Sequence, residues 1–83
     1  MSSTLRALDG DGVRLSDATE GTQVRLVSID AGQGLRARLS AMGLVPGVAL
    51  TVVRNQGTGP AVVEVKGSRL ALGRGMALKI RVK

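Results

Sequence analysis

Residues 34–47, GLRARLSAMGLVPG, decide how the chain is read. Leu35, Leu39 and Met42 recur at i, i+4 and i+7, an apolar stripe at helical period, while Arg36, Arg38 and Ser40 fall on the other side. The spacing predicts one short helix over about 34–42. Gly43 follows where a left-handed residue ends a helix at least cost. Leu44 is then placed to fold back onto Leu39, the apolar contact of a Schellman stop. Pro46 forbids resumption of the helix, and Pro46-Gly47 reads as a turn that launches a strand.

Working outward, residues 48–54 (VALTVVR) alternate with Val48, Leu50 and Val52 on one face. The turn 55–60 (NQGTGP) returns the chain into 61–66 (AVVEVK), where Val63 and Val65 oppose Glu64 and Lys66. A tight connection at Gly67-Ser68 leads into 69–72 (RLAL). Gly73-Arg74-Gly75 reads as an irregular turn that carries Met76 to the core. Leu78, Ile80 and Val82 then alternate with Lys79, Arg81 and Lys83, a half-buried closing strand with a basic outer edge. Upstream, 22–29 (TQVRLVSI) is strand-like with Val24 and Leu26 on one face and Arg25 opposite. Residues 15–20 (LSDATE) fit a single turn capped by Ser16 or Asp17 and closed by Gly21. Residues 1–12 are polar and glycine-punctuated, a flexible leader to a domain running from 13 to 83. The sum is a mainly β fold: about five short antiparallel strands joined by glycine turns, with one short helix after the first. A small closed barrel satisfies it best, because closure leaves few unprotected edges, and the helix stripe can plug an open end.

In 83 residues there is room for one domain, which buries roughly 60 to 65% of its unfolded surface. With 43% hydrophobic residues and no Phe, Tyr or Trp, the core must be built from Val, Leu, Ile, Met and Ala. Each such buried side chain contributes about 1.5 to 3 kcal/mol at most, so modest stability is expected. The absence of Cys excludes disulfides, thiolate catalysis and Cys-based metal sites. The absence of His removes the commonest metal ligand and general base. Ser16, Ser28, Ser40 and Ser68 have no recognisable base partner, so the expectation is a protein that is not an enzyme, without catalytic residues or cofactor. Carboxylates remain as hard ligands for a metal ion, but the six acids form no shared face apart from the leader; no metal site is assigned. The N-terminus has no apolar stretch of signal-peptide length and no segment reaches membrane-spanning length, so a cytoplasmic location is expected.

Charge is unevenly spread. Residues 1–35 carry three Arg against five acids, net −2, and residues 36–83 carry nine Lys/Arg against Glu64, net +8. A basic half suits an acidic protein, nucleic acid or an anionic membrane surface as partner. Two motif matches fail on their surroundings. Asp9, Asp11, Asp17 and Glu20 stand at positions 1, 3, 9 and 12 of a calcium-loop template, but Arg14 occupies the position that demands glycine. Gly32-Gln33-Gly34-Leu35-Arg36-Ala37 matches a dinucleotide-binding fingerprint, with Arg54 placed like a 2′-phosphate reader. The helix after it is too short for a crossover, and hairpins follow.

The runs LSDATEG (15–21), VRLVSIDAGQGLRARLSAMGLVPGVALTVVRN (24–55) and GPAVVEVKGSRLALGRGMALKIRV (59–82) resemble the FeoA family, ferrous iron transport protein A. The resemblance covers residues 13–82. It is sharpest at Leu35, Arg38, Leu39, Met42, Gly43, Leu44, Pro46 and Gly47, which match the pattern L..RL..MGL.PG. It implies an SH3-like barrel in the cytoplasm that works with FeoB, the membrane protein of ferrous iron uptake that carries a cytoplasmic GTPase domain. The module also resembles the C-terminal domains of iron-dependent repressors of the diphtheria-toxin-repressor type; with no DNA-binding domain preceding it here, the transport partner is the expected one. The chain departs from the family at 55–60, where a longer PLGDP-like segment is common, and at 73–77, where charged residues often precede the alanine.

The expected role is an interaction module that docks on the cytoplasmic GTPase region of a FeoB-type transporter and modulates it, reaching the membrane only through that partner. The residues expected to make contact are Arg38 on the polar side of the helix, Met42, Leu44 and Pro46 at its end, and Arg74 in the late turn. The alternative is a small basic barrel that binds nucleic acid through phosphate contacts, which the lack of stacking aromatics weakens. Proline-rich peptides, which SH3 domains grip on aromatic grooves, are not an expected ligand of a chain without aromatics.

Overall fold

The computed structural model describes residues 12–83. The expected leader and the first acids of the calcium-loop match lie, but for Gly12, outside the described residues. Six strands occur in the order β1 (Val13–Arg14), β2 (Gln23–Ile29), β3 (Ala49–Arg54), β4 (Ala61–Val65), β5 (Ser68–Leu72) and β6 (Ile80–Val82). Helix α1 (Gln33–Ala41) follows β2, and a single helical turn α2 (Arg74–Ala77) lies between β5 and β6. All pairings are antiparallel, in the spatial order β1-β6-β2-β3-β4-β5.

The sheet curls where its strands bend. Register shifts between Leu26 and Ser28 on β2, and between Val52 and Arg54 on β3, put extra residues into two ladders. Such bulges raise the local twist, and here they fold one sheet round its own inner face. On that face lie Leu26, Leu50, Val52, Ala61, Val63, Val65, Leu72, Ile80 and Val82, all buried, with Leu39 and Leu44 sealing them from the helix side. No polar or charged residue is buried among the described residues. Alternation does the sorting: β4 runs buried, half-buried, buried, half-buried, buried from Ala61 to Val65.

The two ends of the sheet, β1 and β5, are not hydrogen-bonded to each other among the described residues, so the expected closed barrel is partly open. The gap is bridged by turns: α2 packs against the 3₁₀ turn Leu15–Asp17, and one side chain ties the turns together. The Asn55 Nδ2 group donates to the carbonyls of Leu15 (3.1 Å), Ser16 (3.1 Å) and Ala18 (2.7 Å). Its backbone N–H donates to Glu20 Oε2 at 2.6 Å.

Several details differ from the sequence reading. The strands number six because a two-residue strand, Val13–Arg14, pairs with β6. The turn at Leu15 is 3₁₀ and has no side-chain cap from Ser16 or Asp17. The stretch read as an irregular turn at 73–75 is helical from Arg74 onward, with Gly73 before it in an extended conformation and the Ala77 N–H donating to the Gly73 carbonyl at 3.0 Å. The closing strand starts at Ile80, leaving Leu78 in a turn at 47% exposure rather than on the inner face. In keeping with the rejected dinucleotide match, β2 and β3 on either side of α1 are antiparallel neighbours and form no βαβ unit.

Candidate functional site

Helix α1 ends as its sequence requires. The Gly43 N–H donates to the Ser40 carbonyl and the Leu44 N–H to the Leu39 carbonyl, both at 2.9 Å, with Gly43 at φ +93°, which is the full Schellman pair. A Cβ at Gly43 would touch the Val65 side chain at 3.5 Å, so the helix end is seated directly on β4. The Val48 N–H then donates to the Val45 carbonyl at 3.1 Å, and Pro46 and Gly47 (φ +93°) form the middle of a type II turn. The Gly47 N–H reaches the Leu26 carbonyl at 2.7 Å, and Arg25 Nη1 donates to the Gly47 carbonyl at 2.9 Å. The corner is therefore fixed to β2 through both backbone and side chain.

Three apolar residues stand outward at this corner: Met42 at 45% exposure, Val45 at 36%, and Pro46. Beside them runs an open groove of about 570 Å³ between β2 and α1. Ser28 and Ile29 form one side, Arg36, Ala37 and Ser40 the other, and Val45 and Pro46 close the end. Arg36 and Arg38 are exposed on α1, and Arg25 lies across the turn. The arrangement is an apolar tip beside a trough of mixed polarity, with cations on its rim.

Of the five residues expected to make contact, the structure presents three. Met42, Pro46 and Arg38 are exposed. Leu44 is 1% exposed; its side chain supports the corner from beneath and reaches only the floor of the groove. Arg74 is half-buried and held inside the fold, its Nη1 donating to Asn55 Oδ1 at 2.6 Å and its Nη2 to the Gly59 carbonyl at 2.7 Å. It lies at the seam between β1 and β5 and braces the asparagine that closes it. The sequence reading missed Val45 and the groove wall of Ser28 and Ile29. Val45 was legible as an apolar residue between the buried Leu44 and a proline; the wall depends on how β2 meets the helix.

Glu20 accepts from the Asn55 N–H at 2.6 Å and from Gln56 Nε2 at 3.2 Å. Among the described residues no three acidic side chains come together in a way that could hold a metal ion. No helix among them is long and apolar enough to cross a membrane.

Comparison with known proteins places this geometry. The family profile of the FeoA domain matches residues 13–83. An Fe(2+) transport protein A of Methanocaldococcus jannaschii is 48% identical over 69 residues, 83% of each chain. A crystal structure of an iron uptake regulatory protein (FeoA) is similar at 35% identity and a TM-score of 0.79, covering 86% of this chain and 95% of that one. The SH3-like barrel is thus the shared fold. The apo form of the manganese-activated repressor ScaR has the same fold in part of its length, with a TM-score of 0.77 over 86% of this chain and 34% of that one, at 22% identity.

Proposed function

The chain belongs to the FeoA family, and from that premise we propose that it docks, through the corner Met42, Val45 and Pro46 and the groove beside it, on the cytoplasmic GTPase region of a FeoB-type ferrous iron transporter and modulates it. It has no catalytic role of its own in this reading and stays on the cytoplasmic side. The observation that carries the proposal is the rigid apolar corner. A tip anchored by Arg25 on the Gly47 carbonyl costs little ordering entropy on binding, and exposed Met and Val flanked by arginine is the composition of an interface core and rim. Arg36 and Arg38 would meet an acidic partner surface and speed encounter.

The test is binding of the full chain to a purified FeoB-type transporter. Replacing Met42 and Val45 together by Asp should weaken binding by about tenfold or more with little shift in melting temperature, because neither side chain is in the core. Arg38→Glu should act chiefly through the association rate and its salt dependence. Unchanged affinity in the double variant would remove the corner as the docking site, and a wild-type chain that does not bind the transporter would remove the partner.

A further inference from the structure

Strand β5 ends the sheet with a hydrogen-bonding edge that is unused among the described residues, and its geometry follows from the turn before it. Lys66 (φ +51°) and Gly67 (φ +83°) make a two-residue type I′ turn between β4 and β5. In such a turn the Ser68 N–H points back to the Val65 carbonyl. The backbone groups of an antiparallel strand alternate in direction, so Ser68, Leu70 and Leu72 are turned toward β4, whereas Arg69 and Ala71 turn their N–H and C=O groups outward. None of these outward groups has a partner among the described residues, and Arg69 and Ala71 are exposed.

Edges in native proteins are shortened, bulged or guarded. The other end of the sheet, β1, is two residues long. By contrast, β5 pairs with β4 over five consecutive residues without a register shift and contains no proline. Arg69 is its one charged guard, and it is only loosely engaged, with Nε 3.8 Å from Glu64 Oε1 and a side chain 68% exposed. On the outer face Ala71 lies beside half-buried Val62, a shallow apolar step next to that arginine.

We propose that β5 takes up an extended, acidic segment of a partner protein as a seventh, antiparallel strand. Its backbone pairs with Arg69 and Ala71. A carboxylate lies opposite Arg69, which has donors to spare beyond Glu64, and an apolar residue lies opposite Ala71 and covers Val62. For an antiparallel segment this specifies the order apolar-x-acid. A second copy of this chain is disfavoured by charge: residues 12–83 carry eleven Lys/Arg against four Asp/Glu, net +7, and pairing of two β5 strands would press two such bodies together. The surface is distinct from the corner at Met42 to Pro46, so neither proposal depends on the other.

The probe is the peptide acetyl-TVTET-amide, titrated into the uniformly ¹⁵N-labelled chain at low salt. Saturable amide shifts centred on Arg69 and Ala71, with slowed exchange of both amides, are expected below about 5 mM peptide. The analogue acetyl-TVTKT-amide should bind about threefold more weakly or worse. Ala71→Pro removes only an outward N–H, which an edge strand tolerates, and should keep the dispersed spectrum while abolishing the shifts. Should Ala71→Pro fail to fold, Arg69→Glu serves instead and should reverse the preference between the two peptides. The proposal is overturned by the absence of a saturable shift in the wild-type chain, by shifts equal in the edge variant, or by sedimentation showing that the free chain dimerises with these two amides protected.

Discussion

Asn55 carries more of the fold than any other polar residue described. Its amide nitrogen donates to three carbonyls, its amide oxygen accepts from Arg74, and its backbone N–H donates to Glu20. Asn55→Ala takes their side-chain partner from the Ser16 and Ala18 carbonyls in a part-buried place, and leaves the Leu15 carbonyl with only the Ala18 N–H and the guanidinium with only the Gly59 carbonyl. The expected loss is about 2 to 3 kcal/mol of unfolding free energy, measured by urea titration. Arg74→Ala should cost about 1 to 2 kcal/mol by the same route. Charge reversal at Arg74 would therefore report on stability before it reported on any partner. None of this was legible in NQGTGP, where an asparagine before glycines reads as turn chemistry. Its upstream partners lie 35 to 40 residues away and Arg74 lies 19 residues downstream, all beyond any local pattern. Lys66 is the opposite case, a local misfit that the sequence hides because lysine suits a surface turn by polarity. Its φ of +51° is left-handed, so Lys66→Asn should raise stability by about 0.5 to 1 kcal/mol, again read from the urea midpoint.

Among the elements, α1 shows how far periodicity reaches. The stripe Leu35, Leu39, Met42 divides by depth. Leu39 is buried, Leu35 half-buried, and Met42 stands at the cap, turned outward at 45% exposure. The helical period gives the face but not where the helix leaves its support, and Met42 is one residue past that point. Leu39→Ala is expected to cost about 3 to 5 kcal/mol, whereas Met42→Ala should stay within about 0.5 kcal/mol, a contrast that thermal melts resolve directly. A nine-residue helix without a side-chain N-cap does not stand alone and depends on its C-terminal stop. Gly43→Ala forces a Cβ into the left-handed region and should cost about 1 to 2 kcal/mol. The last strand is instructive for a different reason. Met76, Leu78, Ile80 and Val82 recur every second residue, so alternation alone cannot mark the point at which α2 ends and β6 begins. The real boundary is set by Lys79, whose N–H turns back to the Met76 carbonyl and whose own carbonyl receives the Asp30 N–H.

For the molecule as a whole, the antiparallel order, the short helix after β2 and the aliphatic core were all legible, because each depends on periodicity, glycine turns or composition. The way the curled sheet is joined was not, because it rests on contacts between turns far apart in sequence. Among the described residues the central strands β2, β3 and β4 are paired on both sides, while β1 and β5 each have one neighbour. Joining its two ends by one asparagine and a helical turn, rather than by a ladder, gives this barrel a preferred line of opening. Native-state amide exchange should then be layered, with the slowest amides in β3 and β4 and an earlier, sub-global opening that releases β1 with its following turn. Asn55→Ala should lower the free energy of that opening by nearly its full equilibrium cost, while the exchange of β3 and β4 falls only with global stability. In mechanical terms the molecule resembles a split collar with one clasp: its circumference can relax without its wall coming apart.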